Sequence, residues 1–262
     1  MQVDSLKLTN IKIHESPKVT KLQHKNNIYP RDHFYKQLLF LNGNSSVIDS
    51  FGNVLVRLLH NIVPEHLLTK LESTCEKYRQ KLRNVTDVRG THTTVRFGSY
   101  IERGGQGRII TVKNISKLEN FLEEIDDVGQ FINAIFCKIC VEVALNMTAV
   151  PEEYKLWSAI SLMFWNATNI TDSHVDVRDL HWSLVLPFGN FSGGEVDLKY
   201  LNTTLTIRRK DMYFINSNSV YHNVLPSFEN KKVLVCTNHR SFLARFCKIN
   251  TTNLYNNLYE QK

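Results

Sequence analysis

Apolar and polar positions show no sustained period over residues 1–50, which read as an extension with a few short elements. From Val54 the pattern turns helical. Leu67, Leu68, Leu71, Cys75, Tyr78 and Leu82 recur at three- and four-residue spacing, after Pro64 and Glu65, which suit a first helical turn. Lys70, Lys77, Arg79 and Lys81 fall largely on the opposite face. Residues 89–113 carry Gly98, Gly104, Gly105 and Gly107 and read as loop-rich, a flexible hairpin or lid. The stretch has neither a Gly-Lys-Ser/Thr ending nor a strand-Gly-helix setting, so it is no phosphate loop. Residues 118–144 then predict two helices, one acidic and one largely buried.

After Pro151 the pattern shortens. β-Branched and aromatic runs at 158–166, 182–187, 194–201, 204–208, 212–216, 220–225 and 232–237 alternate with turn signals, as in a sandwich or barrel. Helices followed by strands predict an α+β protein. Its core would be a jelly roll, a cupin-like double-stranded β-helix, braced on one face by N-terminal helices. The expected organisation is one domain over 51–250, with helical support at 54–150 and the jelly-roll core at 155–248. A basic extension (1–50) precedes it and a short tail (251–262) follows.

The chain's 262 residues suffice for one well-buried domain with elaborations. No apolar run approaches the length of a membrane span, since Lys138, Glu142 and Asn146 interrupt the longest. The N-terminus has no basic-then-apolar signal, so the nine Asn-x-Ser/Thr triplets read as a by-product of composition. Five Cys, an odd number, suggest a reduced, intracellular protein. Cys137 and Cys140 have a metal-like spacing but no partner pair, and they read as core thiols. A net charge of +7, with Lys7, Lys12, Lys18, Lys21, Lys25, Arg31 and Lys36 in the first forty residues, makes a polyanionic partner plausible.

Chemistry concentrates at His174-Val175-Asp176 and at His222, 48 residues after His174. Two His and one carboxylate are the protein ligands of the facial triad that holds non-haem Fe(II) and leaves positions open. Alternate residues on a strand point the same way, so His174 and Asp176 can chelate one ion while His222 joins from a later strand. Lys231 and Lys232 open the apolar strand that follows. One of them would face inward with the metal, as a compact cation able to hold a co-substrate carboxylate.

Phe164-Trp165-Asn166, the run from His174 to Asp179, Phe191 to Val196, Tyr221 to Pro226 and Lys231 to Arg240 together resemble the Fe(II)/2-oxoglutarate dioxygenases. Within that superfamily they are most similar to the TET/JBP-type branch of fungi and protists, and the likeness spans about residues 90–245. The resemblance implies Fe(II), 2-oxoglutarate and O2, with co-substrate contacts from Lys231 or Lys232 and from Asn166. It also implies substrate contacts at Asp179, His239, Thr237 and Arg240. The position of His239, eight residues past Lys231, favours Lys231 as the anchor. A methylated base in DNA, 5-methylcytosine foremost, is the implied substrate, and DNA as partner would favour a nuclear location. The family's cation is usually Arg, and Thr237 stands where relatives place a stacking aromatic. Both departures leave a protein side chain, prolyl or lysyl, as a second substrate class. A jelly-roll binding module without catalysis is the third reading. The sequence carries no indication of oligomeric state.

Overall fold

The computed structural model describes residues 39–41, 45–48, 54–87, 90–102, 107–112, 119–167, 170–198, 201 and 203–247. The lysines and arginine of the predicted basic arm, the glycines at 104 and 105 and the tail at 251–262 lie outside the described residues. Two sheets face each other. The smaller runs in the order β1 (Leu39–Leu41), β12 (Thr203–Leu205), β11 (Val196–Leu198), β14 (His222–Val224) and β8 (Thr171–His174). The larger begins with β2 (Ser45–Ile48), β3 (Val54–Leu59), β13 (Met212–Asn216) and β9 (Trp182–Phe188). It continues through β16 (Lys232–Thr237), β7 (Leu162–Asn166), β5 (Gly90–Ile101) and β4 (Arg83–Asp87), with β6 (Ile109–Val112) also on β5. A separate ribbon pairs β10 (Phe191–Gly193) with β15 (Ser227–Glu229).

Cross-strand register sorts the larger sheet's side chains into two faces, because partners in register share a side. Val95, Trp165, Leu234 and Leu186 form one row on the outer face. They pack with α1 (Glu65–Lys77), α2 (Glu119–Glu124) and α3 (Asp126–Ile139) through Leu68, Phe121, Ile132 and Phe136. Val235, Val185, Tyr213 and Leu58 form the matching inner row. They meet Val196, Leu198 and Leu205 of the smaller sheet. Each such large apolar side chain contributes about 1.5–3 kcal/mol by leaving water. The result is a double-stranded β-helix with helices on one face only.

Helix α1 follows its predicted period, burying Leu67, Leu68, Leu71 and Cys75. The helical support expected at 54–150 needs correction. Residues 54–59 form β3, an apolar run whose length suits a strand covered on both faces. The expected lid at 89–113 is largely strand. β5 is 12 residues long and pairs with β4, β6 and β7, so it belongs to the sheet rather than to a loop. Gly98 does not turn the chain there. A Cβ at Gly98, whose φ is +100°, would lie 2.0 Å from the Ser161 carbonyl oxygen, so glycine serves close backbone approach. The segment read as two helices holds three, α2, α3 and α4 (Val141–Met147), with α3 and α4 bent by 113° at Cys140. Among the described residues no single helix is long and apolar enough to cross a membrane.

Candidate active site

The smaller sheet brings two imidazoles together. His174, last residue of β8, is the register partner of His222, first residue of β14, and their ring centroids lie 4.4 Å apart. Asp176 joins them from a turn. The expectation that His174 and Asp176 share a strand is corrected, since β8 ends at His174. The Asp176 N–H donates to the Ser217 carbonyl at 2.8 Å, which folds the chain back and brings the carboxylate to both rings. Its Oδ2 is 3.9 Å from His174 Nε2 and 3.8 Å from His222 Nε2.

Both rings are held with Nε2 forward. His174 Nδ1 lies 2.7 Å from the Asp172 carbonyl oxygen, and His222 Nδ1 lies 2.9 Å from that of Val220. A carbonyl only accepts, so each Nδ1 carries the proton and each Nε2 presents its lone pair. Backbone orientation of this kind is how proteins fix metal-binding imidazoles. The three donor atoms lie within 4.8 Å of one another. An ion about 2.1 Å from each donor can bridge the two measured gaps. Two neutral imidazoles and one carboxylate on one side of such an ion match the Fe(II) facial set.

The structure separates the two lysines. Lys232 shares its face with Phe188 and the helix-packed outer row, and its ammonium lies 3.2 Å from Glu76 of α1. Lys231 has only 4% of its surface exposed, donates to the Gly194 carbonyl at 2.5 Å and stands 5.5 Å from the Phe191 ring centre. Burial pushes its ammonium down to about 8, opposed by the Glu195 carboxylate. A cation held in so little water is stabilised by a bound anion. Asn166 pairs in register with Val233 and with Thr94 of β5. Asn166 Oδ1 and Thr94 Oγ1 are buried without a hydrogen-bond partner among the described residues. Such atoms carry a cost that a polar ligand removes. Thr94 was missed in the sequence because β5 reads as loop; its Thr-x-Arg-x-Gly alternation was the available signal.

At the other end of the inner face lies a buried polar cluster. Asp179 Oδ2 accepts from Ser183 Oγ at 2.5 Å and from Ser217 Oγ at 2.9 Å. Ser183 also reaches Thr237 Oγ1 at 3.1 Å. Burial raises the Asp179 carboxyl to about 7, helped by the nearby Asp176 charge and opposed by the two serines and Thr237. Asp179 Oδ1 faces His239 Nε2 across 3.7 Å, too far for a direct hydrogen bond. Burial, together with Arg96 of β5, holds His239 down to about 4, so its imidazole is neutral at pH 7. Thr237 is 1% exposed and committed to Ser183, so it offers no broad surface to a ligand. Arg240 is half-buried at the start of α5 (Arg240–Leu243), and its charge helps burial lower His181. Sequence reasoning missed Ser183, Ser217 and Arg96, none of which carries a distinctive spacing.

No family model and no curated protein sequence matches the chain. Among solved structures, NgTET1 in complex with 5mC DNA matches with a TM-score of 0.65 and 18% identity, over 83% of this chain and 84% of that one. The fold is shared. A 2OG-Fe(II) oxygenase family protein from Burkholderia pseudomallei matches with a TM-score of 0.47 and 14% identity, over 77% of this chain and 95% of that one. A Pseudomonas putida prolyl-4-hydroxylase gives 0.43 and 13%, over 71% and 92%. The double-stranded β-helix expected from the sequence is the fold observed.

Proposed function

We propose that the protein is an Fe(II)- and 2-oxoglutarate-dependent oxygenase acting on a methylated base in DNA, 5-methylcytosine foremost. The observation that carries the reading is the convergence of His174, Asp176 and His222 with both Nδ1 atoms held by backbone carbonyls. These residues would hold the iron. Lys231 would pair with the far carboxylate of 2-oxoglutarate, with Asn166 and Thr94 as polar neighbours. When bound, iron and 2-oxoglutarate with O2 supply the oxidation that inserts one oxygen atom into a substrate C–H bond, with succinate and carbon dioxide as co-products.

The chain's own residues bind, orient and exclude water. The inner face around Val185, Val235 and Tyr213 is apolar and would keep water away from a co-substrate held between the metal site and Lys231. Asp179 and His239 offer polar contacts from their end of the same face. A base inside a duplex cannot reach them, so it must be flipped out, with cationic residues on the flanking phosphates. NgTET1, whose structure holds 5mC DNA, supports the base reading through its shared fold. The net charge of +7 supports a polyanionic partner. A DNA substrate favours an intracellular, nuclear setting.

Anaerobic titration with Fe(II) and 2-oxoglutarate should produce a weak visible charge-transfer band that His174→Ala abolishes. Mass spectrometry of methylated DNA, methylated RNA and a peptide pool after aerobic incubation then assigns the substrate. Oxidised cytosine in DNA is the expected result. Hydroxylated peptide with unchanged nucleic acid would move the reading to a protein side chain. A wild-type protein without the band would refute the oxygenase itself.

A further inference from the structure

A base lifted out of a duplex loses its stacking neighbours, and enzymes that bind one supply a flat surface in return. Near Asp179 and His239 the inner row of the larger sheet offers Gly98, Leu162, Thr237 and Ser183, none of them flat. Arg96 lies one row away, in register with Phe164. Its guanidinium carbon is 5.1 Å from the Phe164 ring centre and 4.6 Å from that of Tyr100. Tyr100 is four residues farther along β5, so the side chain leans away from Asn166 and toward the Thr237 end. Its effect on His239 places its charge on the same side. Two rings within cation–π reach hold the guanidinium group, which limits the rotamer freedom it loses on binding.

We propose that Arg96, backed by Phe164 and Tyr100, is the flat surface on which the substrate base lies while Asp179 and His239 take its polar edge. This rests on the base-oxidation reading above. A planar guanidinium stacks on a base through its π face, as Arg does when it receives unstacked bases in RNA recognition. A lysine at this position keeps the charge but has no plane. A tryptophan keeps a plane and drops the charge.

The test is steady-state oxidation of a 5-methylcytosine oligonucleotide by wild type, Arg96→Ala, Arg96→Lys, Arg96→Trp and Arg96→Phe. Folding of each variant is checked by thermal melting and by its Fe(II)/2-oxoglutarate band. Ala and Lys should raise KM for DNA about tenfold to hundredfold. At least one of Trp and Phe should recover most of that loss, with KM for 2-oxoglutarate unmoved. If Lys matches wild type, or if neither flat side chain recovers binding in a folded variant, Arg96 acts as a charge and the stacking role is overturned. A wild type that oxidises no methylated base would overturn the base-oxidation reading and this assignment together.

Discussion

Replacing Lys231 with methionine removes a charge while keeping most of the side chain's length. Lys231 is 4% exposed, and burial pushes its ammonium from 10.5 down to about 8. At about 1.4 kcal/mol per pH unit, the fold penalises the charged form by about 3–4 kcal/mol in the absence of a bound anion. Losing a buried hydrogen-bonded charge pair costs about 2–5 kcal/mol, or about thirtyfold to several thousandfold in co-substrate affinity. The Lys232 ammonium pairs instead with Glu76 at 3.2 Å, where Glu76 is 58% exposed. An exposed pair of that kind contributes at most about 1 kcal/mol to stability and nothing direct to the co-substrate. Anaerobic titration of each variant with 2-oxoglutarate in the presence of Fe(II) measures the difference. Lys231→Met should bind far more weakly and melt no lower than wild type without co-substrate. Lys232→Met should bind within about threefold of wild type, since its partner is on α1. Equal weakening by both variants would refute the assignment drawn from the burial of Lys231 and the outward pairing of Lys232.

Four further outcomes are expected. Co-substrate affinity should be flat below pH 8 and fall about tenfold per pH unit above it as Lys231 loses its proton, while Lys231→Arg should remove that fall. In the free protein the sign reverses. The folded value lies below the unfolded one, so the unfolded chain binds more protons between about 8 and 10.5 and stability rises with pH through that window, as urea midpoints would show. Gly98→Ala should cost about 2–4 kcal/mol by urea unfolding, because its Cβ would meet the Ser161 carbonyl oxygen at 2.0 Å with φ at +100°; an unchanged midpoint would contradict the close approach. Ser183→Ala strips one donor from the buried Asp179 carboxyl. It should lower stability by about 1–3 kcal/mol and raise KM for the proposed DNA substrate with 2-oxoglutarate affinity intact. A variant whose 2-oxoglutarate affinity fell instead would place Ser183 at the wrong end of the site.

Helix α1 and seven of the ten strands described after Pro151 were legible because their periods are local: apolar side chains at 3.6 or 2 residues need only the chain's own geometry. The donor types at 174, 176 and 222 were legible for the same reason, as chemistry carried by residue identity. Strand β5 was not. Its glycines and polar residues look like a loop until β4 and β7 supply its hydrogen bonds, and with it went Thr94 and Arg96. Residues 54–59 were equally ambiguous, since a six-residue apolar run suits either element until a sheet claims it. The sequence narrowed the inward cation to Lys231 or Lys232 by alternation, and a family resemblance favoured Lys231. Only the tertiary structure separated them: the register of β16 against β9 put Lys232 on the helix-packed face, while Lys231, just before the strand, is buried against Gly194 and Phe191. The turn that brings Asp176 to both imidazoles depends on the Ser217 carbonyl, 41 residues beyond it. By itself, then, the sequence determined which groups exist and the period of each element. Which groups meet was decided by pairing and packing between segments far apart in the chain, where one residue of register exchanges one face of a strand for the other.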